Sequence, residues 1–484
     1  MRYLWLKRVI LMFLLVATIA SLSYYQFIYA ENSEVSIENL IVNRKQKTDY
    51  KNLFNNSNFK TLTIAFTDDS FNGLLTSMQS YFELYGTYQD NTLHKVTLKY
   101  SDGLGNAFEV LEVGFRTKSN TTRNLPLTYD WMNRASYHQT SFQLQFNATF
   151  DYSENSNEYT VLKQREVFNL DQLNFEYCKS FDGEYDEAMI SEAFSYYLYD
   201  KAGVTVSNAS YGIVYFQIGD TLVGFGFYTI IEPVDQEFLK KNYKSDAIGD
   251  YGDLYKATDT SGEATLSTDY DGIIGINQNE LNIRYSYALK NNTIDGTRQN
   301  HNILIDFIND INDIDYFASH VVELIDVDQF LRALAIGYLL GNTDDYRYNY
   351  NNYYLYFNVY TGKAEFIPFD LDNTLGFGKH QDLTGNYGVY YDLFSPTDNN
   401  AILVKQIFAI DIYRNQYISY LNEFVENYFT YDLFYTQYSI AKELYQDVLV
   451  NENHLGNQVF GLRNVAWYFT VKTRTVLENI SNLS

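Results

Sequence analysis

The chain has 484 residues, of which 46% are hydrophobic and 20% charged, a balance that supports two large lobes and excludes disorder over most of its length. Sixty acidic against thirty-five basic side chains leave a net charge of −25, so the average surface repels nucleic acid and anionic lipid. A single cysteine, Cys178, excludes an intramolecular disulfide and cysteine-based zinc, and the six histidines never take the H-E-x-x-H spacing of a zinc hydrolase.

Arg2, Lys7 and Arg8 precede the apolar run Val9–Ala20, and no charge follows until Glu31. A basic flank before a charge-free stretch of this kind reads as a signal peptide or an uncleaved signal anchor over residues 1–30. Either one places Glu31 onward outside the cytoplasm, touching membrane only through that segment if it is retained. Residues 31–60, with Asn52, Asn55, Asn56, Ser57 and Asn58, are polar and aperiodic and read as a spacer.

Residues 61–234 mostly alternate apolar and polar side chains, as in Thr61–Phe66, Lys95–Tyr100, Ser141–Phe146, Gly212–Gln217 and Val223–Tyr228. Period-two alternation predicts half-buried strands. One helix is predicted among them, over 187–201, with Ile190, Ala193, Phe194, Tyr197 and Leu198 on one face and Gly203 just beyond its end. From Asp235 to Ser484 the balance shifts to helices. Asp326 or Asp328 opens one that carries Phe330, Leu331, Leu334 and Tyr338 and stops at Gly341, and several amphipathic segments follow from Ile402 to Leu477. A β-rich lobe followed by a helical lobe, with a polar cluster near the seam, predicts an α+β architecture around a cleft.

That cluster runs from Gly341 through Asp344, Asn349, Asn351 and Asn352, and then from Thr361 through Asp370-Leu371-Asp372 to Gly376. Phosphoryl transfer asks for a carboxylate to take or orient a hydroxyl proton, oxygen ligands for Mg²⁺ and positive charge on the phosphates. A loop Asp, an Asn several residues on and an Asp after a hydrophobic strand answer the first two. The same residues equally fit an Asx-rich turn with a structural calcium on Asp370 and Asp372. A third reading stacks sugars on the many tyrosines between two carboxylates.

Gly341-Asn-Thr-Asp344, Asn351-Asn-Tyr-Tyr-Leu-Tyr356, Thr361-Gly-Lys363 and Phe366-Ile-Pro-Phe-Asp-Leu-Asp-Asn-Thr-Leu-Gly376 together resemble the signature of the spore-coat protein H (CotH) kinase-like family. Gly114–Thr122, Gly224–Asp235 and Gly252–Lys256 are similar to its upstream elements, so the resemblance covers roughly residues 90–470. It implies a two-lobed protein-kinase-like fold that binds ATP and Mg²⁺ between the lobes and phosphorylates Ser or Thr of partner proteins. Carried over by position, it makes Asp344 the catalytic aspartate and Asn352 and Asp370 metal ligands, with Asp372 beside them and Asp345 a competitor of Asp344. Arg116, Lys118 and Glu232 would touch the nucleotide. The chain departs from the family pattern in two places: Ser119 stands where the family has glycine, and the lead Gln139–Gln145 carries no lysine. A non-catalytic surface or envelope protein with the same fold is therefore the alternative.

Overall fold

The computed structural model describes residues 37–41, 47–119, 122–178, 186–258, 264–276, 284–291, 300–377, 392–394, 401–462 and 464–483. The segment read as a signal or anchor, residues 1–30, lies outside them. Among the described residues no helix is long and apolar enough to cross a membrane.

The first lobe is built on strands β1 (Thr61–Phe66), β2 (His94–Ser101), β3 (Ala107–Thr117), the small hairpin β4 (Leu127–Tyr129) and β5 (Ala135–Tyr137), β6 (Phe142–Gln145), β7 (Gln172–Tyr177), β8 (Ala209–Ile218) and β9 (Thr221–Ile231). Seven of these close into a barrel in the order β1-β2-β3-β6-β7-β9-β8, sealed by a parallel pairing of β1 with β8. The alternation seen in the sequence is the cause: β1 buries every second side chain, Leu62, Ile64 and Phe66, toward the interior. Aromatic rings fill the barrel, with Phe142 stacked on Phe175 at 4.5 Å and Phe216 on Phe225 at 3.8 Å between centroids. Closure removes the exposed strand edges that an open sheet of this length would leave.

Two helices sit where the alternating pattern masked them. Asp68–Tyr85 begins at Thr67, whose hydroxyl accepts from Ser70 N at 3.1 Å, and ends at Gly86 in the left-handed conformation with φ 73°. Asn157–Lys163 is the second. The helix expected over 187–201 begins instead at Ser191, because Asp186 ties back the preceding turn by accepting from Ala188 N and Ser191 N.

Residues read as a polar spacer include the helices Ile37–Leu40 and Lys47–Leu53, and Leu40 and Leu53 are fully buried. Backbone polarity explains the difference, because the Asn-rich stretch is tied by its main chain rather than by apolar side chains. Ser210 Oγ donates to Leu53 O at 2.6 Å, and Tyr211 OH donates to Asn56 O at 3.2 Å. Tyr445 OH accepts from Lys60 N at 2.8 Å and donates to Asn58 O at 3.0 Å. This strap joins the barrel to the helix Tyr431–Asn451 of the second lobe.

The second lobe is not all helix. It centres on a sheet of β10 (Leu254–Ala257), β11 (Ile273–Ile274), β12 (Tyr287–Leu289), β13 (Tyr353–Asn358) and β14 (Lys363–Pro368), in the order β11-β12-β10-β13-β14. Three of these strands have four residues or fewer, too short for their period to stand out in the sequence. The helix Val327–Leu340 packs on β14; it starts at Asp326, whose side chain accepts from Gln329 N, and stops at Gly341 with φ 65°. The outer faces of β8 and β9, including Tyr211, Ile213 and Phe227, belong to the hydrophobic core of this lobe, so the two lobes share a packed boundary.

Candidate functional site

Period two decides what β3 and β7 show at their ends. Phe115 and Thr117 face the interior of the barrel, fully buried, so Arg116 and Lys118 point out of it. Phe175 likewise faces in and Glu176 out. Lys118 Nζ lies 2.6 Å from Glu176 Oε1, an ion pair with only 18% and 14% of the two side chains exposed. Arg116 is held to the flank, donating from Nε to Gln143 Oε1 at 3.0 Å and from Nη1 to Asn91 Oδ1 at 2.7 Å. Ser119 takes φ 81°, the left-handed region that favours the glycine standing there in the family.

From the second lobe, the β13–β14 hairpin brings together residues far apart in the chain. Tyr353 pairs with Pro368, and one step further Phe369 N donates to Asn352 O at 3.0 Å. Asn352 and Asp370 thus flank the open end of one ladder, and both are left-handed, with φ 56° and 58°. After glycine, Asx residues tolerate this region best, and strain of this kind gathers at functional sites. Asp344 joins them from the loop after Gly341. Its backbone O accepts from Asn352 Nδ2 at 2.8 Å, its N donates to Asn342 Oδ1 at 2.9 Å, and its Oδ1 accepts from Asn349 Nδ2 at 2.6 Å. Asp345 turns the other way and caps the turn, its Oδ1 accepting from Arg347 N and Tyr348 N.

Electrostatics link the two sides. Burial, and then the charge of Glu176, push the Asp370 carboxyl above its usual range, while Lys118 and Lys256 pull it back. Asp372 is raised further by burial and by Asp370, Glu192, Asp344 and Glu176. Glu192, on the helix Ser191–Lys201, is raised by burial, Glu176 and Asp370. Phe369 is flanked by both cations, with Lys118 Nζ 5.5 Å and Lys256 Nζ 5.1 Å from its ring centre. Five carboxylates thus face two ammonium groups around one loop.

Such an excess of negative oxygen donors, with no thiolate or imidazole among them, fits a hard cation such as Mg²⁺. Among the described residues no three His, Cys, Asp or Glu side chains group closely enough to hold a metal by themselves. Magnesium normally completes its shell with amide oxygen, water and substrate phosphate, and Asn352 beside Asp370 and Asp372 is a donor set of that kind.

Of the residues singled out in the sequence, Asp344, Asn352, Asp370, Asp372 and Lys118 come together, and Arg116 borders them. Glu232 is fully buried elsewhere. Its Oε2 accepts from Tyr50 OH at 2.7 Å and from Asn208, and its Oε1 lies 3.0 Å from Lys241 Nζ, so it clamps the N-terminal strap to the helix Gln236–Asn242. Sequence reasoning passed over Glu176, Glu192 and Lys256. Lys256 ended a segment already singled out, Gly252–Lys256. Glu176 and Glu192 carried no local signal, because each is one charge among strand or helix residues and matters only through what it faces.

The family model described as CotH kinase protein matches residues 131–460, more than half of the chain, and the chain belongs to that family. It is 31% identical over 153 residues to the inner spore coat protein H of Bacillus subtilis (strain 168), a match spanning 31% of this chain and 38% of the relative's length. A Helicobacter pylori proinflammatory kinase, CtkA, aligns with 63% of this chain and 91% of its own at 11% identity, with a TM-score of 0.23.

Proposed function

We propose that this chain is a protein kinase of the CotH type, transferring the γ-phosphoryl group of ATP to Ser or Thr hydroxyls of coat or surface proteins outside the cytoplasm. The observation that carries this reading is the convergence of Asp344, Asn352, Asp370 and Lys118, from three separate stretches of chain, on one rim between the lobes.

Asp344 receives the proton of the acceptor hydroxyl as its oxygen bonds to the γ-phosphorus and the bond to the β-phosphate oxygen breaks, releasing ADP. Asn349 and Asn352 fix the Asp344 side chain and backbone so that little reorientation precedes the transfer. Asn352, Asp370 and Asp372 would hold Mg²⁺, which when bound offsets the negative charge of the phosphates. Lys118 and Lys256 supply fixed positive charge on either side of Phe369. Lys118 reaches this place from the end of β3, which answers the missing lysine of Gln139–Gln145. Arg116 lies on the same outer face of the barrel as Lys118, and Glu232 holds the N-terminal strap to the helix Gln236–Asn242 instead of meeting the nucleotide.

The second reading, a non-catalytic coat or envelope assembly protein, draws on that same missing lysine and on the name of the Bacillus relative. Intact-mass analysis of the full chain with MgATP and a Ser-rich basic protein separates the two, run beside Asp344→Ala and Asp370→Ala. Phosphoryl transfer adds about 80 Da per site in the wild type alone. A gain of about 329 Da would instead mean adenylyl transfer, and no gain without nucleotide binding would leave the assembly reading.

A further inference from the structure

The hairpin of β4 and β5 continues the strand pairing that carries Lys118. Lys118 N donates to Ser141 O at 2.9 Å, Ser141 N to Thr122 O at 3.2 Å, Asn124 Nδ2 to Gln139 O at 2.9 Å and His138 N to Pro126 O at 3.0 Å. From there Leu127 pairs with Tyr137 and Tyr129 with Ala135. Leu127 and Tyr137 root the hairpin in the core of the barrel. Two strands alone are marginally stable, but the tip is tied. Asp130 Oδ1 accepts from Met132 N and Arg134 N, both at 2.9 Å, and its Oδ2 accepts from Arg134 Nε at 2.7 Å. This fixed tip shows Tyr129, Trp131 and Met132 to water, 59%, 89% and 53% exposed. Single exposed apolar side chains are ordinary. Three within four residues of one turn, two of them aromatic, make a surface of the composition that interfaces favour.

Charge selects what covers it. Asp130 and Arg134 cancel each other at the tip, 2.7 Å apart, while the chain as a whole carries −25. A second copy or an anionic membrane would bring more of the charge already in excess, whereas a cationic polypeptide is attracted. Exposed indole and phenol faces take a guanidinium by cation–π contact, and a thioether adapts around it. We propose that the β4–β5 tip is a docking site for the acceptor protein, holding an arginine-bearing segment of it against Tyr129, Trp131 and Met132. The inference rests on the kinase reading and adds to it a surface outside the cleft. A strand rise of about 3.3 Å per residue sets the tip up to roughly 20 Å beyond Asn124, so the docked segment and the residue phosphorylated at the rim are about six extended residues apart.

The test uses protamine, an arginine-rich protein that contains serine, with the full chain as wild type, Trp131→Ser and Met132→Ser. Calorimetry at physiological salt without nucleotide gives Kd, and phosphoryl transfer from MgATP gives KM and kcat. Trp131→Ser is expected to weaken protamine binding at least tenfold, as truncation of an interface hot spot does, and to raise the KM for protamine by the same factor with kcat and the KM for MgATP unchanged. Met132→Ser is expected to weaken binding several-fold and keeps the test intact should Trp131→Ser disturb the hairpin. A Ser-Arg tetrapeptide, too short to span tip and rim, is expected to keep its KM in both variants; an equal rise there would show that the hairpin acts on the cleft itself and overturn the proposal. Protamine bound equally by all three proteins, or by none, would overturn it while leaving the kinase reading standing. Binding that depends on Trp131 in a wild type that transfers no phosphoryl group would overturn the kinase reading and keep the hairpin as a partner site. Anionic vesicles and light scattering are run beside these samples: lipid binding or a dimer lost in Trp131→Ser, with protamine binding intact, would assign the tip to a membrane or to a second copy and overturn the proposal.

Discussion

Neighbouring residues of the same strands do opposite work in this molecule. Phe175 stacks on Phe142 inside the barrel, and Glu176, one residue on, faces out to Lys118. Phe115 is likewise buried among rings, while Arg116 turns out to Gln143 and Asn91 and Lys118 reaches Phe369 of the second lobe. The barrel interior is apolar and closely stacked. The rim crowds five carboxylates and holds Ser119, Asn352 and Asp370 at positive φ. Stability is thus gathered inside the barrel, and the unfavourable electrostatics and backbone strain are gathered where chemistry is proposed.

Substitutions on the two sides should separate accordingly, with loss of activity as the largest effect. Asp344→Ala is expected to lower phosphoryl transfer by about 10²–10⁴-fold, the usual contribution of a positioned acid–base group, with an unchanged urea midpoint. A large fall in that midpoint would show that the rim also holds the fold.

Phe142→Ala, inside the barrel, is expected to cost about 3–5 kcal/mol of unfolding free energy, as aromatic truncations in packed cores do. Equilibrium urea denaturation measures it. A loss under about 1 kcal/mol would mean that the barrel is not where stability resides.

Asp370→Asn should do the reverse, abolishing transfer while raising stability by about 1–2 kcal/mol in metal-free buffer, because it removes one charge from a crowded buried group. The pH dependence carries the same sign. Carboxyls whose pKa is raised by folding bind protons more tightly in the native state, so their contribution is full below the unfolded pKa and is lost as pH rises through the raised value. The melting temperature of the metal-free protein should therefore rise as pH falls from neutral toward 5, with a shallower slope in Asp370→Asn.

The strap gives a third region with its own titration. Lys60 is fully buried, donates to Asn55 O at 2.7 Å, and is pulled down by burial from 10.5 to about 7, with Asp102 opposing. The unfolded chain then binds the proton more tightly between about pH 7 and 10.5, so stability should climb as pH rises through that window. Lys60→Met is expected to flatten the climb in thermal melts. The smallest effect is expected from Ser119→Gly. Relieving φ 81° should stabilise by at most about 1 kcal/mol, read as a small rise in midpoint with transfer intact.

Much of the barrel was legible, because period-two alternation is a local property and marked β1, β2 and β6 within one residue of their ends and β8 and β9 within three. The helix Asp68–Tyr85 had its caps in plain sight at Thr67 and Gly86, yet it lay inside a stretch whose alternation suggested strand. The helix ending at Gly341 was legible for the opposite reason, since its cap, apolar stripe and stop all agreed.

For the candidate site, the sequence by itself determined the residues whose neighbours in the chain form a recognisable pattern: Asp344, Asn352, Asp370 and Asp372, and Lys118 after its strand. Only the tertiary structure decided that Glu232 serves the strap, that Lys118 pairs with Glu176, and that Lys256 and Glu192 belong to the same rim. The physical reason is range. Backbone periodicity and capping are settled within a few residues, whereas a charge is defined by whatever folding places within several ångströms of it, and here those partners lie on β3, β7, β10, one helix and one loop.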